Sequence, residues 1–264
     1  MNVIEFQNQK SKKKLSMVTC YDTWSARLIA ESSVDSVLVG DSLAMVMHGH
    51  STTLPATIAM MELHTQAVAR GLLHKTPSKL LVADLPFISY RQDLKTSVRA
   101  AGRMMRAGAH AVKLEGAKGN LEMITHLVDS GIPVMGHLGL TPQSIHQLGG
   151  FKVQGQNPAE FERIRLEAQD LEKAGCFSVV LECVPQALAE QITKDLRIPT
   201  IGIGAGPRTD GQVLVLHDLL GLNEGFKPKF LRTFLAGAEL IKTALNDYDA
   251  QVKGQSFPTD KESY

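Results

Sequence analysis

The chain has 264 residues, 44% of them hydrophobic and 21% charged, with a formal net charge of +1. That length matches the ~250 residues of one eight-fold β/α barrel, and the composition is that of a globular chain able to bury a core. A charge this close to zero gives no long-range pull toward nucleic acid or an anionic membrane, and no apolar run approaches the ~18 residues of a membrane span.

Cys20, Cys176 and Cys183 are widely spaced and form no C-x-x-C. This argues against a disulfide framework or a zinc knuckle and for reduced thiols in a cytosolic chain. The first ten residues hold no apolar stretch of the kind a secretory signal needs.

Residues 1–14 are polar and read as a helix or arm outside the barrel, with Lys10, Lys12, Lys13 and Lys14 as a solvated lead-in. The first predicted strand is 15–20, and Asp22 reads as the N-cap of a helix carrying Trp24 and Leu28. The second strand, Val37-Leu38-Val39, is closed by Gly40-Asp41-Ser42. A loop over 43–55 follows, carrying Met45, Met47, His48 and His50. Histidines two apart occur in metal sites, but with no third partner nearby this stretch reads as a mobile rim loop. Ile58, Met61 and Val68 predict a helix over 57–70 that Gly71 stops.

The third strand, 80–83, ends in Asp84, and its helix presents Val98, Ala101 and Met105 on one face. The fourth is Ala111–Glu115, followed by a helix with Ile124, Leu127 and Val128. The fifth, 132–136, ends in His137 and opens a glycine-rich loop over 137–158. Loops of that length are lids or binding segments. Asn157-Pro158 reads as the cap and first turn of a helix with Phe161, Ile164, Ala168 and Leu171 on one face. The sixth strand, 178–181, ends in Glu182, and Leu188, Ile192 and Leu196 mark its helix. The seventh, Thr200–Ile203, runs into Gly204-Ala205-Gly206, a close-packed turn that lacks the spacing of a phosphate loop. The eighth is 213–216; a last helix carries Phe230, Phe234, Ala238, Ile241 and Leu245, and 251–264 is a polar tail.

Continuous apolar strands alternating eight times with helices are the grammar of a parallel sheet buried on both faces. Length and the even count predict one α/β domain over 1–264, a closed (β/α)8 TIM barrel. The open doubly wound sheet needs a glycine fingerprint at its first turn, and Cys20-Tyr21-Asp22 has none.

Ionisable residues recur at the C-terminal ends of these strands, which is the active-site rim of such a barrel. Asp41, Asp84 and Glu115 end three successive strands. Bare carboxylates side by side repel, and a hard cation such as Mg²⁺ with water in its shell resolves this; helix capping or lysine pairing is the plainer reading of each alone. Lys113 lies two residues before Glu115, so both side chains share a face. It can neutralise a substrate carboxylate or pair with Glu115. Glu182 has no basic neighbour in sequence and suits either a general base or a structural carboxylate.

The wording of the rim segments then carries a resemblance. Val-Leu-Val-Gly-Asp-Ser (37–42), Ser-Thr-Thr-Leu-Pro-Ala-Thr (51–57), Ala-Asp-Leu-Pro-Phe (83–87) and Val-Lys-Leu-Glu-Gly (112–116) occur in that order. Gly-His-Leu-Gly-Leu-Thr-Pro-Gln-Ser (136–144), Gly-Gly-Phe-Lys-Val-Gln-Gly (149–155), Leu-Glu-Cys-Val-Pro (181–185) and Ile-Gly-Ile-Gly-Ala-Gly (201–206) follow, then Asp-Gly-Gln-Val-Leu-Val-Leu-His-Asp (210–218). From about 15 to 248 the chain resembles the 3-methyl-2-oxobutanoate (ketopantoate) hydroxymethyltransferase family. The resemblance implies a barrel of the phosphoenolpyruvate/pyruvate type, cytoplasmic, Mg²⁺-dependent and a homodecamer. It implies small-molecule substrates: a one-carbon unit passes from 5,10-methylenetetrahydrofolate to 3-methyl-2-oxobutanoate, giving 2-dehydropantoate for pantothenate synthesis. It assigns metal carboxylates to Asp41, Asp84 and Glu115, oxo-acid contacts to Asp41, Ser42, Asp84 and Lys113, a proton acceptor to Glu182 and a pocket position to His137. Ala44, Ser51 and a tail ending without histidine depart from the family's usual pattern, away from the chemical positions. The competing readings are another Mg²⁺-dependent 2-oxo-acid barrel, such as a carbon–carbon lyase, and a catalytically silent barrel that only binds oxo acids.

Overall fold

The computed structural model describes residues 1–75, 79–225 and 227–264. Eight parallel strands close on themselves in chain order: β1 (Leu15–Thr19), β2 (Ser36–Val39), β3 (Leu80–Asp84), β4 (Ala111–Glu115), β5 (Val134–Gly139), β6 (Ser178–Glu182), β7 (Thr200–Ile203) and β8 (Gly211–Leu214). The seam closes where Leu15 of β1 pairs with Gly211 of β8. The expected TIM barrel is thus present.

Its helices are α1 (Val3–Gln7), α2 (Thr23–Glu31), α3 (Leu43–Val46), α4 (Ile58–Leu72), α5 (Leu94–Arg106), α6 (Leu121–Asp129), α7 (Ile145–Leu148), α8 (Pro158–Lys173) and α9 (Gln186–Asp195). Of these, α1, α2, α4, α5 and α8 begin at side-chain caps that satisfy orphan backbone donors. Asp22 accepts from Ser25 N at 2.9 Å, Asp93 from Thr96 N at 2.8 Å, and Asn157 from Glu160 N at 2.9 Å. The α1–β8 portion is one compact unit, Met1–Val215. The second unit, Leu216–Tyr264, contains α10 (Leu216–Leu219) and α11 (Gly237–Lys253). Phe230 and Phe234 precede α11 rather than lying on it, and α11 extends three residues into the expected tail.

Inside the barrel the core is a stack of alternate residues: Leu15 and Met17, Leu38, Leu80 and Val82, Ala111, Met135, Val180, Ile201 and Val213. Phe6 of α1 joins them, fully buried, with its ring edge-on to Phe177 at 5.8 Å. Phe6 lies with residues at the strands' N-terminal ends, so α1 is a plug in the bottom of the barrel rather than an arm outside it. The lysine run is tied down as well. Lys10 pairs with Asp210 at 2.7 Å and Lys13 with Asp35 at 3.0 Å, while Lys14 donates to the Thr209 carbonyl.

Three further local readings change, the first being that β8 runs Gly211–Leu214, two residues earlier than the expected 213–216. Gly71 does not stop α4; it lies inside it, where an added Cβ would stand 2.5 Å from Ala26 Cβ of α2. It is a contact glycine between two helices. Strand β5 starts two residues later than expected and runs through His137 to Gly139.

Candidate active site

The strand period of two decides what enters the mouth. Ala111 faces the core, so Lys113 and Glu115 do too. Val82 puts Asp84 on the same file, Met135 puts His137 there, and Val180 puts Glu182 there. The ionisable rim groups are thus the upper continuation of the apolar core. Register then sets the neighbours. Asp84 lies opposite Lys113, Glu115 opposite His137, and Gly139 opposite Glu182. Gly139 has φ +91° and a site for Cβ only 2.2 Å from the Glu182 carbonyl oxygen, so this seam accepts glycine alone.

The structure brings all seven expected residues to this rim. Asp41, Asp84, Lys113, Glu115 and His137 are buried there. Lys113 Nζ lies 2.5 Å from Asp84 Oδ1, and Asp84 Oδ2 accepts from Asp41 N at 3.0 Å. His137 stands between two carboxylates, 3.6 Å from Glu115 Oε1 and 3.3 Å from Glu182 Oε2. Ser42 is half-buried and shares a 2.8 Å hydrogen bond with the Tyr21 hydroxyl.

Electrostatics separate these groups. Burial, and then the charges of Asp84 and Glu115, push Asp41 well above the ordinary carboxylate range, against the opposing pull of Lys113 and Gln143. Burial and Lys113 disfavour a charged His137, but Glu115 and Glu182 outweigh them and hold it up at about 9. Lys113 is likewise held charged: burial opposes it and is overcome by Asp84, Glu115 and Asp41. Glu182 differs from the other carboxylates in access, with 17% of its side chain exposed against 3% for Asp84 and Glu115. The next residue, Cys183, has φ +46°, a strained conformation that ends β6 abruptly beneath Glu182.

Sequence reasoning missed Gln143, Tyr90 and Tyr21. Gln143, in the 3-10 turn Pro142–Ser144, donates from Nε2 to Asp41 Oδ2 at 2.8 Å and to the Leu85 carbonyl at 3.0 Å. Its own N–H donates to Glu115 Oε2 at 3.0 Å, and its Oε1 accepts from Tyr90 at 2.8 Å. The signal for it was the Thr-Pro-Gln-Ser run inside a rim motif. Glutamine is no acid, base or charge, so a search for ionisable groups passes over it.

Among the described residues no three His, Cys, Asp or Glu side chains already converge as a metal cage. Gln143 holds one oxygen each of Asp41 and Glu115, and Lys113 pairs with Asp84 Oδ1. The donor set nevertheless fits a hard divalent ion. Three buried carboxylates share one lysine and one histidine as cationic neighbours, and Asp84 Oδ1, though ion-paired, makes no directed hydrogen bond.

A family model described as ketopantoate hydroxymethyltransferase matches residues 1–260. The chain belongs to the ketopantoate hydroxymethyltransferase family. It is 60% identical over 260 residues to the 3-methyl-2-oxobutanoate hydroxymethyltransferase of Coxiella burnetii (strain CbuK_Q154), covering 98% of this chain and 96% of that one. It is 59% identical to the enzyme of that name from Bdellovibrio bacteriovorus, over 99% and 98% of the two chains. The Legionella pneumophila (strain Paris) enzyme is 55% identical over the full length of both. This ketopantoate hydroxymethyltransferase family member is therefore an enzyme, a transferase, and the lyase and silent-barrel alternatives are not favoured. Among solved structures, a phosphonopyruvate hydrolase in complex with oxalate and Mg²⁺ superposes with a TM-score of 0.67 at 11% identity, over 99% of this chain and 93% of that one. A 2,3-dimethylmalate lyase of the phosphoenolpyruvate mutase/isocitrate lyase superfamily gives 0.58 at 15%, over 99% and 91%. At such identities these two establish the fold alone.

Proposed function

We propose that this enzyme joins 3-methyl-2-oxobutanoate, 5,10-methylenetetrahydrofolate and water to give 2-dehydropantoate and tetrahydrofolate, in pantothenate synthesis. The observation that carries the reading is the access of Glu182: it is the carboxylate open at the mouth, while Asp41, Asp84 and Glu115 are buried.

Each residue then has a task. Asp41, Asp84 and Glu115 hold Mg²⁺. When bound, that ion polarises the 2-oxo group and offsets the negative charge that appears there. Lys113 neutralises charge at the substrate's carboxylate end, and Ser42 donates a hydrogen bond to the oxo acid. Glu182 takes the proton from C3. Water adds to the folate methylene carbon and, as both of its C–N bonds break, releases it as formaldehyde from tetrahydrofolate. The C3 carbanion adds to that carbonyl carbon, and the alkoxide formed is protonated to the hydroxymethyl group. His137, flanked by Glu115 and Glu182, fixes the direction in which the Glu182 carboxylate faces. The same reading assigns the chain a homodecameric state and a cytoplasmic location. Among the described residues no helix is long and apolar enough to cross a membrane.

Proton removal can be tested apart from transfer. With Mg²⁺ and no folate, the parent should exchange the C3 hydrogen of the oxo acid with D₂O, followed by proton NMR. Glu182→Gln keeps shape and hydrogen bonding but not basicity, and should bind the oxo acid yet exchange it at least ~10²-fold more slowly. Parental exchange rates in that variant would remove Glu182 from the role, and absence of 2-dehydropantoate with both substrates present would refute the reaction.

A further inference from the structure

His48 and His64 meet across two elements. His48 is an exposed residue of the rim loop just after α3, and His64 is on α4. Their Nε2 atoms are 3.1 Å apart, with the rings nearly perpendicular at 89°. The partner that His48 lacks in sequence is therefore sixteen residues away, on a helix.

His64 Nδ1 lies 2.6 Å from the Tyr21 carbonyl oxygen. A carbonyl only accepts, so Nδ1 donates to it, and Nε2 of the neutral ring accepts from His48 Nε2–H across the 3.1 Å contact. A metal ion would take the place of that shared proton, with His48 carrying its own on Nδ1. Metal-ligating histidines are commonly set up this way, with the far ring nitrogen anchored on a carbonyl or carboxylate. The separation fits as well. Two nitrogens each ~2.0–2.1 Å from one ion stand ~2.9 Å apart at a right angle and ~3.4 Å apart at the tetrahedral angle. The observed distance falls between these limits.

We propose that His48 and His64 form a binding site for a divalent transition-metal ion of the zinc or copper class, with water completing its shell. Imidazole selects Zn²⁺, Cu²⁺ and Ni²⁺, whereas Mg²⁺ prefers carboxylate and water oxygen. The pair and the buried carboxylates therefore sort different cations. Tyr21, whose carbonyl anchors His64, reaches Ser42 through its hydroxyl. An ion held by the pair clips the loop that follows Ser42 onto α4, beside the active-site mouth.

The test uses the full chain saturated with Mg²⁺ and titrated with Zn²⁺ alone by calorimetry, with Cu²⁺ loading read by electron paramagnetic resonance. The parent should bind Zn²⁺ at a site that His48→Ala weakens at least tenfold, and His50→Ala should bind as the parent does. The Cu²⁺ spectrum of the parent should carry coupling to two imidazole nitrogens, and that of His48→Ala to fewer. Because His48 is exposed, its loss leaves the fold intact. Equal Zn²⁺ affinity in parent and His48→Ala would overturn the site. So would loss of binding in His50→Ala, which would give the ion to the loop histidines alone.

Discussion

Gln143 Nε2 donates a 2.8 Å hydrogen bond to Asp41 Oδ2, while the Gln143 backbone N–H holds Glu115 Oε2 at 3.0 Å. One uncharged residue thus spaces two carboxylates, one just beyond the end of β2 and one on β4. Gln143→Met keeps the side chain's length and removes both its amide donor and its carbonyl acceptor. It should weaken Mg²⁺ binding by ~10–100-fold, the usual cost of losing an orienting partner of a metal ligand. Magnesium titration of the folded variant, with circular dichroism as the fold control, checks this.

Asp84→Ala removes the carboxylate that pairs with Lys113 and accepts from Asp41 N. The variant should fold and lose Mg²⁺-dependent binding of the oxo acid. Calorimetry reads both quantities, and a parental Mg²⁺ affinity would contradict the assignment of Asp84 as a ligand.

Phe6→Ala should cost about 3–5 kcal/mol of stability, the range for truncating a buried aromatic residue. Phe6 lies at the opposite end of the barrel from Glu182. The folded variant should therefore keep its kcat at moderate temperature while its urea midpoint falls. A parental midpoint would show that the plug contributes nothing to holding the barrel closed.

Asp35 yields a pH prediction with a definite sign. Burial would raise its pKa, but the N–H and hydroxyl of Ser16 and the ammonium of Lys13 outweigh that and lower it. A depressed folded-state value adds stability above the unfolded pKa of about 3.9 and loses it as the pH falls through the folded value. Asp35→Asn should be less stable than the parent at neutral pH, and the gap should close in strong acid. Denaturant midpoints of both proteins across that range read it directly.

The eight strands and their polar ends were legible because a parallel barrel writes each strand as an apolar run that stops at the mouth. Ala111–Glu115 and Thr200–Ile203 match to the residue. Helix faces were harder to read. Trp24 and Leu28 are exposed, while small residues of α2, Ser25, Ala26 and Ala30, are buried against its neighbours. Hydrophobic size misleads where close approach is what packing needs, and Gly71 misled for the same reason. At the site, carboxylates and lysine announced themselves by charge. Gln143 and the His48–His64 contact depend on where loops of 137–158 and 43–55 fold back, which local sequence does not encode.

The plug also has a consequence for synthesis. Phe6 leaves the ribosome early, yet it is buried in one cluster with Phe177, Ile201 and Val213. At ~5–20 residues per second, roughly 10–40 s pass before the last of these is made. Over that interval β1 has no β8 to pair with, and an aromatic side chain waits without its socket. Neither the closed barrel nor the full socket for Phe6 can exist before that strand is made, so closing and plugging both belong to the end of synthesis.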